Sequence, residues 1–131
     1  MPNNPDKVTT IANLHKKKVH MSGRVYCDTG IYFGATAENF NAYERVNTEV
    51  FGLKVYMNHT TGNMLVDNKT VLERIFQSWP GPQPILVHAE ADMLEMAIGL
   101  AKKYQKRLHA CHVSLGDEIR MIKIGCGPGH D

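Results

Sequence analysis

The chain has 131 residues, 43% of them hydrophobic and 21% charged, with a formal net charge of +2. That is one domain's worth of a globular protein, with enough chain to bury a core. It carries no electrostatic bias toward nucleic acid, no apolar run long enough to span a bilayer, and a polar N-terminus unlike a signal peptide. Cys27, Cys111 and Cys126 form no CxxC pair, and their odd number suits reduced thiols in a cytoplasmic protein.

In chain order, Asn4-Pro5 signals a turn. Asp6 can then cap a helix over residues 7–20, with Val8, Ile11, Ala12 and Leu14 or His15 on one face. Lys16-Lys17-Lys18 falls at the solvated end of that helix, where cations suit the dipole; binding phosphate is the alternative role. Residues 24–35 predict a strand broken near Asp28-Thr29-Gly30, residues 38–49 a short helix, 51–58 a strand and 59–67 a polar loop. Asp67 or Asn68 caps a helix through Val71, Leu72, Ile75 and Phe76, and Trp79-Pro80-Gly81-Pro82 stops it. A strand over 84–88, a helix over 91–104, a strand over 107–113 and a helix over 116–124 follow, and residues 125–131 read as a tail outside the domain. Strand and helix alternate, and the strands are apolar without a polar alternation. Both facts predict a single α/β domain with a parallel sheet.

Lys54 is the residue out of place. Leu53, Val55 and Tyr56 surround it in a run with the β-branched and aromatic character of a buried strand. Burial disfavours an ammonium, and a neutral amine takes up CO2 to become a carbamate whose two oxygens can bridge metal ions. The alternative is a lysine whose stem is buried and whose head reaches water. In parallel α/β proteins the chemistry collects at the carboxyl ends of strands, and neighbouring strands lie about 4.8 Å apart. His88 closes the strand after that of Lys54, and His112 lies near the end of the next. At matching heights, two imidazoles and an anionic oxygen donor make a zinc site with a position left open for water. Singly, either histidine can equally be a core residue bonded to a backbone carbonyl. Glu90 either shapes the site or caps the helix that follows it.

Met1-Pro-Asn3, Gly52-Leu-Lys-Val-Tyr56, His88-Ala-Glu90 and Cys111-His-Val113, in this order and spacing, resemble dihydroorotase of the amidohydrolase superfamily, in its single-chain and multifunctional-enzyme type. The likeness runs from Met1 to about Ile124. It implies a (β/α)8 barrel, of which about five consecutive βα units lie here, the first as a stub. It also implies two zinc ions bridged by a carboxylated Lys54, with His88 and His112 on the second metal. Asn3 matches an asparagine that binds the substrate carboxylate, or is simply a turn residue. Thr60 matches a threonine of the mobile loop that closes over substrate. Cys111 falls where some relatives place a further zinc ligand, or is a small buried thiol. The implied reaction is reversible ring opening of dihydroorotate to carbamoyl aspartate, by water that the zinc ions activate.

The family opens its site with a His-x-His pair and an arginine ahead of the Met-Pro-Asn turn, and supplies its catalytic aspartate on the last strand. Neither falls within residues 1–131, and a full barrel takes about 250 residues. The expectation is a truncated or split product without catalytic residues of its own, inactive alone, whose open sheet edges invite self-association or a complementary fragment. A hydantoinase- or allantoinase-like relative acting on another cyclic amide, and a non-catalytic partner of aspartate transcarbamoylase, are the other readings.

Overall fold

The computed structural model describes residues 1–2, 4–60 and 62–126. The segment before the first helix shows how tertiary contacts override a helix signal. The first helix, α1, spans Ile11–Met21 and is capped by Thr10, whose hydroxyl accepts the Asn13 N–H at 3.1 Å. It does not begin at residue 7 under an Asp6 cap. Val8 is held outside the helix instead: its N–H donates to the Pro2 carbonyl at 3.0 Å, and its own carbonyl accepts the Gly34 N–H at 2.8 Å. Asp6 is left to pair with Lys16 at 2.6 Å, while Lys18 pairs with Glu49 at 2.8 Å.

Strand β1 is only Tyr32–Gly34. The longer strand expected over residues 24–35 shortens because residues 22–30 pair with no strand; Tyr26 is fully exposed. A 3-10 turn, Phe40–Ala42, leads into the short helix α2, Tyr43–Val46. Then follow β2 (Gly52–Tyr56), α3 (Lys69–Ser78), β3 (Ile85–His88), α4 (Asp92–Lys103), β4 (Leu108–Ala110) and α5 (Gly116–Cys126). Asn68 caps α3 as its sequence position implies, accepting the Val71 N–H at 3.1 Å. Asn68→Ala should cost about 1 kcal/mol, read as a lower urea midpoint at unchanged slope. At α5 the Glu118 carboxylate reaches back to the N–H groups of Ser114 and Leu115, each at 3.2 Å, satisfying donors the helix start leaves open. Gly125 and Cys126 continue α5, and Gly125 lies so close to Ile98 of α4 that a methyl there would sit 2.6 Å from it. Residues 127–131, the remainder of the expected tail, lie outside the described residues.

The four strands form one parallel sheet in the order β1-β2-β3-β4. The described residues thus hold four strands, where about five βα units were expected; Val8, bonded to Gly34, marks the place of a further one. Register sorts the side chains into two faces. Phe33, Leu53, Ile85 and Leu108 share one row, with Val55, Val87 and Ala110 in the next. These meet Leu72, Ile75 and Phe76 of α3 and Leu94 and Ala97 of α4 in a dry core. The opposite face carries Gly34, Lys54, Leu86 and His109 in one row, and Tyr56 and His88 in the next. Past β4, Ile98, Ala101, Leu108, Ala110 and Ile122 line an apolar groove of about 430 Å³. No helix among the described residues is long and apolar enough to cross a membrane.

Candidate functional site

Lys54 is the polar residue the strand swallows. Its side chain is 1% exposed, so its head does not reach water. The amine donates to the Cys111 thiol at 3.0 Å and lies 5.1 Å from the centre of the Tyr56 ring. Lys54 lies on β2 and Cys111 directly follows β4, the two strands flanking β3, and the β4 register carried one residue on puts Cys111 beside His88. Tyr56 follows Lys54 by two residues, on the same face. Its hydroxyl is buried with no hydrogen-bond partner among the described residues. Burial first, and the nearby Cys111 sulfur second, push its ionisation above the usual phenol range.

His88 and His112 face each other directly. Nδ1 of His88 lies 2.9 Å from Nε2 of His112, with ring centres 4.6 Å apart. Nε2 of His88 lies 3.2 Å from the His59 carbonyl oxygen. A carbonyl only accepts, so His88 carries its proton on Nε2, and a neutral His88 offers the Nδ1 lone pair to His112. Two imidazole nitrogens on one tetrahedral zinc stand about 3.3 Å apart, given Zn–N bonds near 2.05 Å. To hold one ion the pair would have to open by a few tenths of an ångström, give up the shared proton and turn both lone pairs onto one point. The His59 carbonyl, meanwhile, orients the His88 ring from behind, as ligand histidines generally require. His112 reaches this position through a left-handed backbone, φ 40°, which breaks the alternation of β4.

The expectation of three groups at one height needs correction. Lys54 pairs with Leu86, and Tyr56 is the residue level with His88, so the lysine starts two residues deeper. Among the described residues no group of three or more His, Cys, Asp or Glu side chains is placed to hold a metal. His88 and His112 fit one ion as a pair, and any third donor from this face has to come from elsewhere, such as Lys54 made anionic. Glu90 does not cap α4, whose N-cap, Ala91, has φ 46°. Its backbone N–H is instead held by the Asn58 side chain at 2.8 Å. Thr60 is half-buried, one residue past His59, in the loop that returns to pair Leu65 with Tyr56. Asn3 lies outside the described residues. Sequence reasoning missed Tyr56, Asn58 and His59; the i, i+2 spacing of Tyr56 from Lys54 was the available signal.

A parallel sheet with helices on one face and these groups at the strand ends is the α/β barrel architecture of the amidohydrolases, and the solved structures agree. An L-hydantoinase from Arthrobacter aurescens superposes with a TM-score of 0.87 over 100% of this chain and 37% of its own, at 21% identity. The chain's homologues are CAD-type multifunctional proteins and an inactive dihydroorotase-like domain, the kinship its four motifs implied. Multifunctional protein pyr1-3 of Dictyostelium discoideum is 32% identical over 94% of the chain, and multifunctional protein CAD of Squalus acanthias 29% over the same share. The inactive dihydroorotase-like domain of a Chaetomium thermophilum CAD-like multifunctional protein matches at 29% identity and a TM-score of 0.83, over 98% of this chain. The chain spans about 6% of those two multifunctional relatives and 38% of the Chaetomium domain. No protein-family model matches it.

Proposed function

We propose that this chain carries part of the metal site of a dihydroorotase-type cyclic amidohydrolase, with His88, His112 and a carboxylated Lys54 as zinc ligands. The 2.9 Å approach of the His88 and His112 nitrogens supports this reading most directly. When bound, zinc supplies Lewis acidity that polarises an amide carbonyl and activates water. The chain's own part is positioning. His88 is held by the His59 carbonyl, Tyr56 and Leu86 keep water from Lys54, and Asn3 and Thr60 address the carboxylate of dihydroorotate or carbamoyl aspartate. On this reading turnover draws a base and further ligands from the part of the barrel that the relatives have beyond this match. The reading places the protein in the cytoplasm, in pyrimidine synthesis.

A second reading has its own support. The Chaetomium relative is an inactive domain. On that reading the barrel segment is a structural partner, for aspartate transcarbamoylase or for another copy of itself across the open β4 edge. Elemental analysis of the purified chain, dialysed against zinc and then against metal-free buffer, separates the two. The metal-centre reading expects about one retained zinc per chain, lost in His88→Ala and in Lys54→Ala, with no cyclisation of carbamoyl aspartate. Absence of retained zinc in the unaltered chain leaves the structural reading alone.

A further inference from the structure

The contact between Lys54 and Cys111 has a chemistry of its own, apart from zinc. A lysine amine that is 99% buried has a sulfur at 3.0 Å as its hydrogen-bond partner among the described residues. The sulfur side is open: Cys111 is half-buried at the end of β4, within reach of small solutes. The amine side is closed, under Tyr56, whose buried hydroxyl has no partner there, and beside Leu86, 5% exposed. An electrophile formed on Cys111 therefore has the amine beside it from the start, with the two reacting atoms already in contact.

We infer that Lys54 and Cys111 form a reversible nitrogen–sulfur cross-link on oxidation by hydrogen peroxide. In the first step the thiol takes one oxygen from peroxide; its sulfur is oxidised by two electrons to the sulfenic acid and water leaves. In the second, the Lys54 nitrogen attacks that sulfur, the S–O bond breaks, and the hydroxyl departs with an amine proton as water. A sulfenamide remains; starting from the ammonium, one further proton goes to solvent. Sulfenic acids condense with backbone nitrogen in the same way. Two equivalents of a small thiol reverse it, restoring thiol and amine and leaving the small thiol as its disulfide. The bond ties β2 to the residue after β4, across β3. It also consumes the amine from which a carbamate would form, so peroxide switches off any metal centre built on Lys54.

The experiment uses the whole chain, freed of metal by chelation, so that its outcome is independent of zinc binding. After brief exposure to peroxide, digestion without reductant and mass spectrometry should find the Lys54 and Cys111 peptides joined, short of two hydrogens relative to their sum. Thiol should release them, and Cys111→Ala should abolish the species. Exposed Cys27 serves as the internal comparison and should acquire oxygen in the ordinary way. In Lys54→Met, whose side chain keeps most of the buried stem, a sulfenic acid on Cys111 should persist and be captured by dimedone. Peptides that stay separate while Cys111 gains one to three oxygens overturn the inference. So does dimedone capture in the unaltered chain equal to that in Lys54→Met.

Discussion

Trp79→Ala is expected to cost about 3–5 kcal/mol, because it removes the largest fully buried side chain among the described residues. Trp79 is fully buried where α3 ends. It packs edge-on against Tyr43, ring centres 5.4 Å apart, and donates its indole N–H to the Gln83 carbonyl at 2.9 Å. Truncation opens a cavity between α2 and α3 and leaves a carbonyl unpaired, and the two penalties add. Domains of this size hold only about 5–15 kcal/mol, so a melting temperature lower by more than about 10 °C is the outcome to look for. Circular dichroism is the right probe, because Trp79 is the only tryptophan and its fluorescence leaves with it. Trp79→Phe keeps most of the packing and should lose about half as much. Equal losses for the two would mean that the indole hydrogen bond, and not the filled space, dominates.

Gly52→Ala is expected to be nearly as damaging, although it adds a single methyl group. Gly52 opens β2 on the face that carries Lys54. A β-carbon there would stand 2.5 Å from both the Pro84 carbonyl oxygen and a Leu86 methyl. The leucine can rotate away; the carbonyl cannot, because it accepts the Leu53 N–H at 3.1 Å and so sets the β2–β3 spacing. Prising these strands apart should cost about 2–3 kcal/mol, at the upper end of overpacking penalties. Gly99→Ala is the matched control. Gly99 lies inside α4 with open space around it, so the same methyl should stabilise by about 0.5–1 kcal/mol through helix propensity. Urea denaturation of both variants should show midpoints moving in opposite directions. A common direction would contradict the close approach at Gly52.

The difference between these two glycines also shows how much the sequence disclosed. Strands β2 and β3 and helices α3 and α4 begin and end within about two residues of expectation, because each is an apolar run or stripe; α3 also has its own Asn68 cap and a following proline. Where local signals competed with distant contacts, the contacts won. Asp6 looks like a cap, yet Val8 is claimed by Gly34, 26 positions away. Residues 24–30 look like the first part of a strand over 24–35, yet no second strand pairs with them. In the site, the residue types were legible and their relative heights were not. Period-two patterning gives the face a side chain occupies but not the register between strands, so Lys54 and His88 were expected level when they are two residues apart. The left-handed turn at His112 left no trace in composition. The His88–His112 approach depends on it.

The alternation along β2 and β3 separates two kinds of inheritance. Leu53, Val55, Ile85 and Val87 hold the helices; Lys54, Tyr56 and His88, interleaved with them, face the other way, outside that helix-packed core. A descendant can therefore discard its reagents one by one while its scaffold goes on folding. Lineages with this sheet can thus drift into silence and keep their shape, a history in which a silent barrel among the relatives is an ordinary outcome.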